Sequence, residues 1–138
     1  MSKIWASAPH SGGVDITPAL QQTVKQQITE YAQEKYAGKF TRLDFKFRGP
    51  FCYIDAYEEP QVGKTHPTAS LGETRNQYIQ RMRTTPTHLC RLRHFSREQW
   101  SVAFYTYSNE KYEPCIYPDG SWFGSMEDAF DIGATYLM

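Results

Sequence analysis

His88-Leu-Cys-Arg-Leu-Arg-His-Phe95 and Trp100-Ser-Val-Ala-Phe-Tyr-Thr-Tyr107 are the two runs whose reading decides the fold. Both alternate along the backbone and are rich in β-branched and aromatic residues, and Ser96-Arg-Glu-Gln99 between them is polar. A β-hairpin follows. Strand geometry sends successive side chains to opposite faces, so His88, Cys90, Leu92 and His94 are expected on one face and Leu89, Arg91, Arg93 and Phe95 on the other. On the partner run Trp100, Val102 and Phe104 separate in the same way from Ser101, Ala103, Tyr105 and Tyr107. Cys90, Leu92, Val102 and Phe104 are expected to face the core. That leaves an outer surface where arginines lie beside tyrosines, an arrangement that serves as cation–π packing or as a platform for a flat or anionic ligand.

Outward from this hairpin, the same alternation recurs upstream in Leu43-Asp-Phe-Lys-Phe-Arg48 and in Phe51-Cys-Tyr-Ile-Asp-Ala-Tyr57. Gly49-Pro50 interrupts them as a tight turn or a bulge, and Phe45, Phe47, Cys52 and Ile54 are expected inward. Thr17-Pro18 starts a helix with Thr as N-cap and Pro in its first turn. Leu20, Val24, Ile28 and Tyr31 then mark one face up to Gly38. Residues 58–67 read as a loop, and residues 73–83 as a short helix with Tyr78, Ile79 and Met82 on its apolar stripe, stopped by Pro86. Pro114 cannot donate to a ladder, which places the following strand at an edge or a bend. Pro118-Asp-Gly-Ser121 is a turn returning the chain as Trp122-Phe123. Ser125 then caps a last helix whose buried side is Ala129, Phe130, Gly133, Ala134 and Leu137. The whole is an α+β fold: an antiparallel sheet of about five or six strands with the N-terminal and C-terminal helices on one face. Residues 1–16, with Pro9, Gly12 and Gly13 and no periodicity, read as a flexible arm carrying Trp5; residues 17–138 form one domain, with 58–86 as an insertion.

Composition narrows the function classes. The chain has 138 residues, enough for one core, and its formal net charge of zero argues against a surface built wholly for nucleic acid. Aromatic residues make up 15%, including ten Tyr, so some rings are expected at a surface or interface. Three widely spaced cysteines, Cys52, Cys90 and Cys115, fit reduced thiols better than a disulfide framework. Met1-Ser-Lys-Ile-Trp5 is not followed by an apolar core, and no run approaches the ~18 apolar residues of a membrane span. A cytoplasmic protein with no membrane partner is expected.

Four strings, Phe47-Arg-Gly-Pro-Phe-Cys-Tyr-Ile-Asp-Ala-Tyr57, Pro86-Thr-His-Leu-Cys-Arg-Leu-Arg93, Trp100-Ser-Val-Ala-Phe-Tyr-Thr-Tyr107 and Asn109-Glu-Lys-Tyr-Glu-Pro114, follow the amphipathic first helix. In this layout, over roughly residues 17–137, the chain is similar to small bacterial and cyanobacterial proteins known as domains of unknown function. The resemblance implies one compact domain and brings no activity, cofactor or site.

Three chemistries were weighed against the residues. His88, Cys90, His94 and Cys115 have the right donors for zinc, but alternate strand positions diverge by about 7 Å and the spacing matches no compact finger, so no cofactor is expected. Cys90 between His88 and His94 is a thiol beside bases, yet same-face neighbours stand side by side. No nucleophile elbow, phosphate loop or dinucleotide fingerprint is present, and a non-enzymatic protein is favoured. Arg91, Arg93 and Arg97 with Lys46, Arg48, Arg81 and Arg83, interleaved with Tyr53, Tyr57, Tyr105 and Tyr107, suit single-stranded RNA, although Glu58, Glu59, Glu110 and Glu113 are placed to offset that charge. The favoured function is protein binding or self-association through Arg91, Arg93, Tyr53, Tyr57, Tyr105 and Tyr107, or through Trp5, because interfaces favour Tyr, Trp and Arg.

Overall fold

The computed structural model of the chain describes residues 11–60 and 72–137. Trp5 lies outside them. The element order is helix α1 (Pro18–Lys35), strands β1 (Arg42–Arg48) and β2 (Phe51–Tyr57), helix α2 (Arg75–Thr84), strands β3 (Thr87–Ser96), β4 (Gln99–Thr106) and β5 (Lys111–Cys115), and helix α3 (Met126–Gly133), which runs into a 3₁₀ turn over Ala134–Tyr136. The strands form one antiparallel sheet in sequence order, β1-β2-β3-β4-β5. This is the expected α+β architecture, with five strands among the described residues. Residues 122–123 add no sixth strand; only Gly124 bridges back, to Trp100.

Helix starts follow local chemistry. Thr17 accepts from the Leu20 amide at 3.2 Å with Pro18 in the first turn, and Ser125 accepts from the Asp128 amide at 3.1 Å. In α2, Thr74 and Gln77 cap each other reciprocally.

The apolar faces of α1 and α3 lie on the same side of the sheet. Val24, Ile28, Ala32, Ala129 and Phe130 meet Cys52, Ile54, Leu92, Trp100 and Val102 in one buried cluster. Phe45 and Phe47 point the same way but are only half-buried, because β1 is an edge strand. At the other edge, β5 pairs Pro114 with Ala103 and has no further strand beyond it among the described residues. The N-terminal segment docks before α1 begins: the Val14 amide donates to the His94 carbonyl at 2.8 Å, the Ile16 amide to the Gly49 carbonyl at 3.0 Å, and Ile16 is buried. Asp131 joins the two helices, accepting from the Tyr31 and Tyr36 hydroxyls at 2.6 Å each and from Lys35 Nζ at 3.1 Å.

β3 departs from strict pairing twice, at its hairpin end between His94 and Ser96 and, with more consequence for the faces, near its start. Ile54 pairs with Cys90 but Asp55 pairs with His88, so Leu89 is an extra residue in β3, a β-bulge. Leu89 and Cys90 are both fully buried. His88, expected on the core face with Cys90, is instead rotated onto the opposite face. The bulge seats closely against α3: a Cβ on Gly133 would stand 2.9 Å from the Leu89 carbonyl carbon and oxygen.

Two outcomes follow. Gly133→Ala should destabilise the protein by about 1–3 kcal/mol in urea titration, because overpacking against backbone outweighs the helix propensity gained. Burial, with Asp131 beside it, raises the Tyr36 phenol from 10.0 to about 12. A phenol with a raised folded value holds its proton in the native state while the unfolded chain has already lost it, so stability falls as pH rises between those values. The stability difference between wild type and Tyr36→Phe should therefore shrink over that interval in denaturation curves.

Candidate functional site

No helix among the described residues packs on the second face of the sheet; α1 and α3 share the first, and Tyr78 and Met82 of α2 lie by Phe40, Thr41 and Pro60. The register writes the open face as rows across the strands. Arg48, Phe51 and Arg93 form one row, Lys46, Tyr53, Arg91 and Ala103 the next, and Asp44, Asp55 and His88 a third, continued by Tyr105 and Tyr112. In the first two rows an aromatic residue of β2 is flanked by a cation from each neighbouring strand.

The side chains obey that grid. The Arg91 and Arg93 guanidinium carbons lie 4.6 and 4.5 Å from the centroid of the Phe51 ring, and Arg91 is also 5.8 Å from Tyr112. Such contacts contribute about 0.5–1 kcal/mol each at accessible sites, and they hold the guanidiniums flat on the sheet. Arg93 donates to the Gly12 carbonyl at 2.8 Å. Burial, together with the charge of Arg91, lowers the Arg93 guanidinium from its ordinary value. Arg91 Nε is shut off from solvent and meets no acceptor. Lys46 and Arg48 on β1 are exposed. The ion pairs among the described residues join Lys35 to Asp131, Arg81 to Glu73, Arg83 to Glu59 and His88 to Asp55. None involves Lys46, Arg48, Arg91 or Arg93.

The third row is self-satisfied. His88 Nδ1 lies 2.9 Å from Asp55 Oδ1, and the His88 amide donates to the Tyr107 hydroxyl at 2.8 Å. His88, Tyr105, Tyr107 and Tyr112 pack on one another, with Tyr105 at 72–74° to its tyrosine neighbours. Tyr53 closes this cluster against Tyr112 at 68°. Burial pushes the Tyr112 and Tyr107 phenols up. Asp55 is thereby buried on the face that carries no helix, under rings rather than hydrocarbon from the core.

The residues expected to converge therefore divide. Arg91, Arg93, Tyr53 and Tyr105 share the open face. Tyr57 sits at its margin under the Arg42 guanidinium, 3.8 Å away, and Tyr107 lies just beyond β4, 48% exposed. Arg81 and Arg83 are paired elsewhere, and Arg97 lines a groove on the helix side with Leu20 and Met126. The acids expected to offset the patch stand apart as well. Glu59 pairs with Arg83, Glu113 accepts from Thr106 and Asn109, and Glu58, its carboxyl raised by burial, lines the groove beside Phe40 and Tyr78. Phe51 and Tyr112 were not among the expected site residues. Only strand pairing brings them in; the alternation Phe51, Tyr53 on β2 was a usable signal for the first.

His88, Cys90, His94 and Cys115 do not assemble. His88 is on the opposite face from Cys90, and the His94 ring packs on Trp100 with Nδ1 3.0 Å from the Val14 carbonyl. Among the described residues no group of three or more His, Cys, Asp or Glu is placed to hold a metal ion. Burial raises the Cys52 and Cys90 thiols, which favours the protonated over the nucleophilic form. No helix among the described residues is long and apolar enough to cross a membrane.

No family model, curated protein or solved structure matches the chain.

A buried donor without an acceptor weakens the folded state, so Arg91→Met should keep the packing on Phe51 while removing the orphan. Its stability in urea is expected to equal that of wild type or exceed it by up to about 1 kcal/mol. A clear loss would mean that the guanidinium serves the fold.

Proposed function

We propose that this protein is a non-enzymatic binding protein that engages a protein partner through the open sheet face, with Arg91 and Arg93 as its anchors and Tyr53, Tyr105 and Phe51 as their support. The observation that carries this reading is the pair Arg91 and Arg93: two guanidiniums on one aromatic ring, neither of them in an ion pair among the described residues. Arginine held by aromatic neighbours is also the residue type that dominates interface energetics.

Single-stranded nucleic acid is the weaker reading. Base recognition by a sheet uses rings that offer their flat faces to solvent. Here Tyr53, Tyr105, Tyr107 and Tyr112 meet edge to face at 68–74°, and the Phe51 ring lies under two guanidiniums. A second copy of the chain remains a partner within the same proposal, and light scattering distinguishes it from a different protein.

The test is affinity capture with wild type and with Arg91→Glu/Arg93→Glu, both confirmed folded by circular dichroism. A partner retained by wild type at low salt should be lost from the charge-reversed protein and released as ionic strength rises. Equal capture by both proteins would remove the sheet face from the function.

A further inference from the structure

Four cations surround two rings on this face, and their placement constrains what would fit them. Arg48 and Arg93 flank Phe51, while Lys46 and Arg91 flank Tyr53. At the backbone the two rows are separated by two residues along the strand, about 6.8 Å, and within a row the cations are borne two strands apart, about 9.6 Å, while the Arg91 guanidinium reaches across to the Phe51 ring of the first row. An extended chain repeats its same-side residues at that first spacing. A helix offers same-side residues at three- and four-residue intervals instead, with a rise of about 1.5 Å per residue.

Charge narrows the occupant further. Asp44 and Asp55 stand in the next row, but Asp55 is engaged by His88, and neither forms an ion pair with the four cations among the described residues. Arg91 and Arg93 share the Phe51 ring and so hold two like charges close together without a counter-charge. A carboxylate, like a phosphate, offers two oxygens that match a guanidinium fork. Base stacking gains little here, because the Phe51 ring is already occupied by the guanidiniums that would bind the anion.

We infer that the segment recognised on this face is an extended acidic stretch of a partner protein, with carboxylates at alternate positions that seat over the Arg48–Phe51–Arg93 and Lys46–Tyr53–Arg91 rows. The inference rests on the proposed binding function and names the chemistry of the partner. Direction along the strand is set by the rows, and the carboxylates point toward the sheet while the intervening side chains point away. The Arg91–Arg93 repulsion is then offset.

Two fluorescein-labelled peptides of identical composition test it, one alternating Glu and Thr, the other with all Glu residues preceding all Thr residues, beside a single-stranded oligothymidine of similar length. Fluorescence anisotropy at low salt should give at least about tenfold tighter binding for the alternating peptide than for the block peptide, and about tenfold weaker binding of it by Arg91→Gln. Amide shifts in NMR titration should centre on Lys46, Tyr53 and Arg91. Equal affinity for the two peptides, tighter binding of the oligonucleotide, or shifts centred on the helix side would overturn the inference. Should the peptides fail while capture of a protein partner still depends on Arg91 and Arg93, only the chemistry assigned here is wrong; should capture fail as well, the binding function falls with it.

Discussion

The extra residue at Leu89 is the constraint on which both faces of this sheet depend. Without it, His88 would follow Cys90 into the core against α3 and be parted from Asp55, which β2 holds on the opposite face. With it, a leucine fills the space beside Gly133 and the histidine turns to meet Asp55 at 2.9 Å. A bulge costs one ladder position, and burying Leu89 completely offsets that cost through about 1.5–3 kcal/mol of apolar burial. Gly133 is small because the bulged backbone comes so near.

The consequence is a sheet with two differently built layers. The helix side is an ordinary hydrocarbon core, closed at one end by Asp131 bonding two tyrosines and a lysine. The other side is a thin layer of rings over buried Asp55 and Ala103, stiffened by edge-to-face contacts and by guanidiniums laid on Phe51. Its lower rows are satisfied internally, by His88, Asp55 and the tyrosines. Its upper rows are not. Four cations thus gather at the end near the Gly49-Pro50 turn, although the chain as a whole is neutral.

Much of this was legible from the residues. Period-two alternation located β1 to β4, since a half-buried strand must separate its faces, and Pro114 marked an edge because its missing amide hydrogen is harmless only there. Thr17-Pro18 and Ser125 placed the first and last helices through their capping chemistry. The placing of Arg91, Arg93, Tyr53 and Tyr105 on the outward face followed from alternation alone. His88 was misplaced for the same reason: period two assumes an unbroken ladder, and nothing in His88-Leu-Cys announces an inserted residue. The counter-charges expected to cancel the patch stand apart from it, because Glu59 and Glu113 bond elsewhere in space and Glu58 lines the groove beside Phe40.

The sequence by itself determined the elements, their order and the segregation of sulfur and hydrocarbon from guanidinium and phenol, since those depend on neighbours one to four residues apart. Tertiary structure decided which strands lie side by side, and with that the rows of cation, ring and cation, the turning out of His88 and the isolation of Arg91. Those features arise between residues some 40 positions apart, where backbone hydrogen bonding and the shape of α3, rather than local propensity, fix the register.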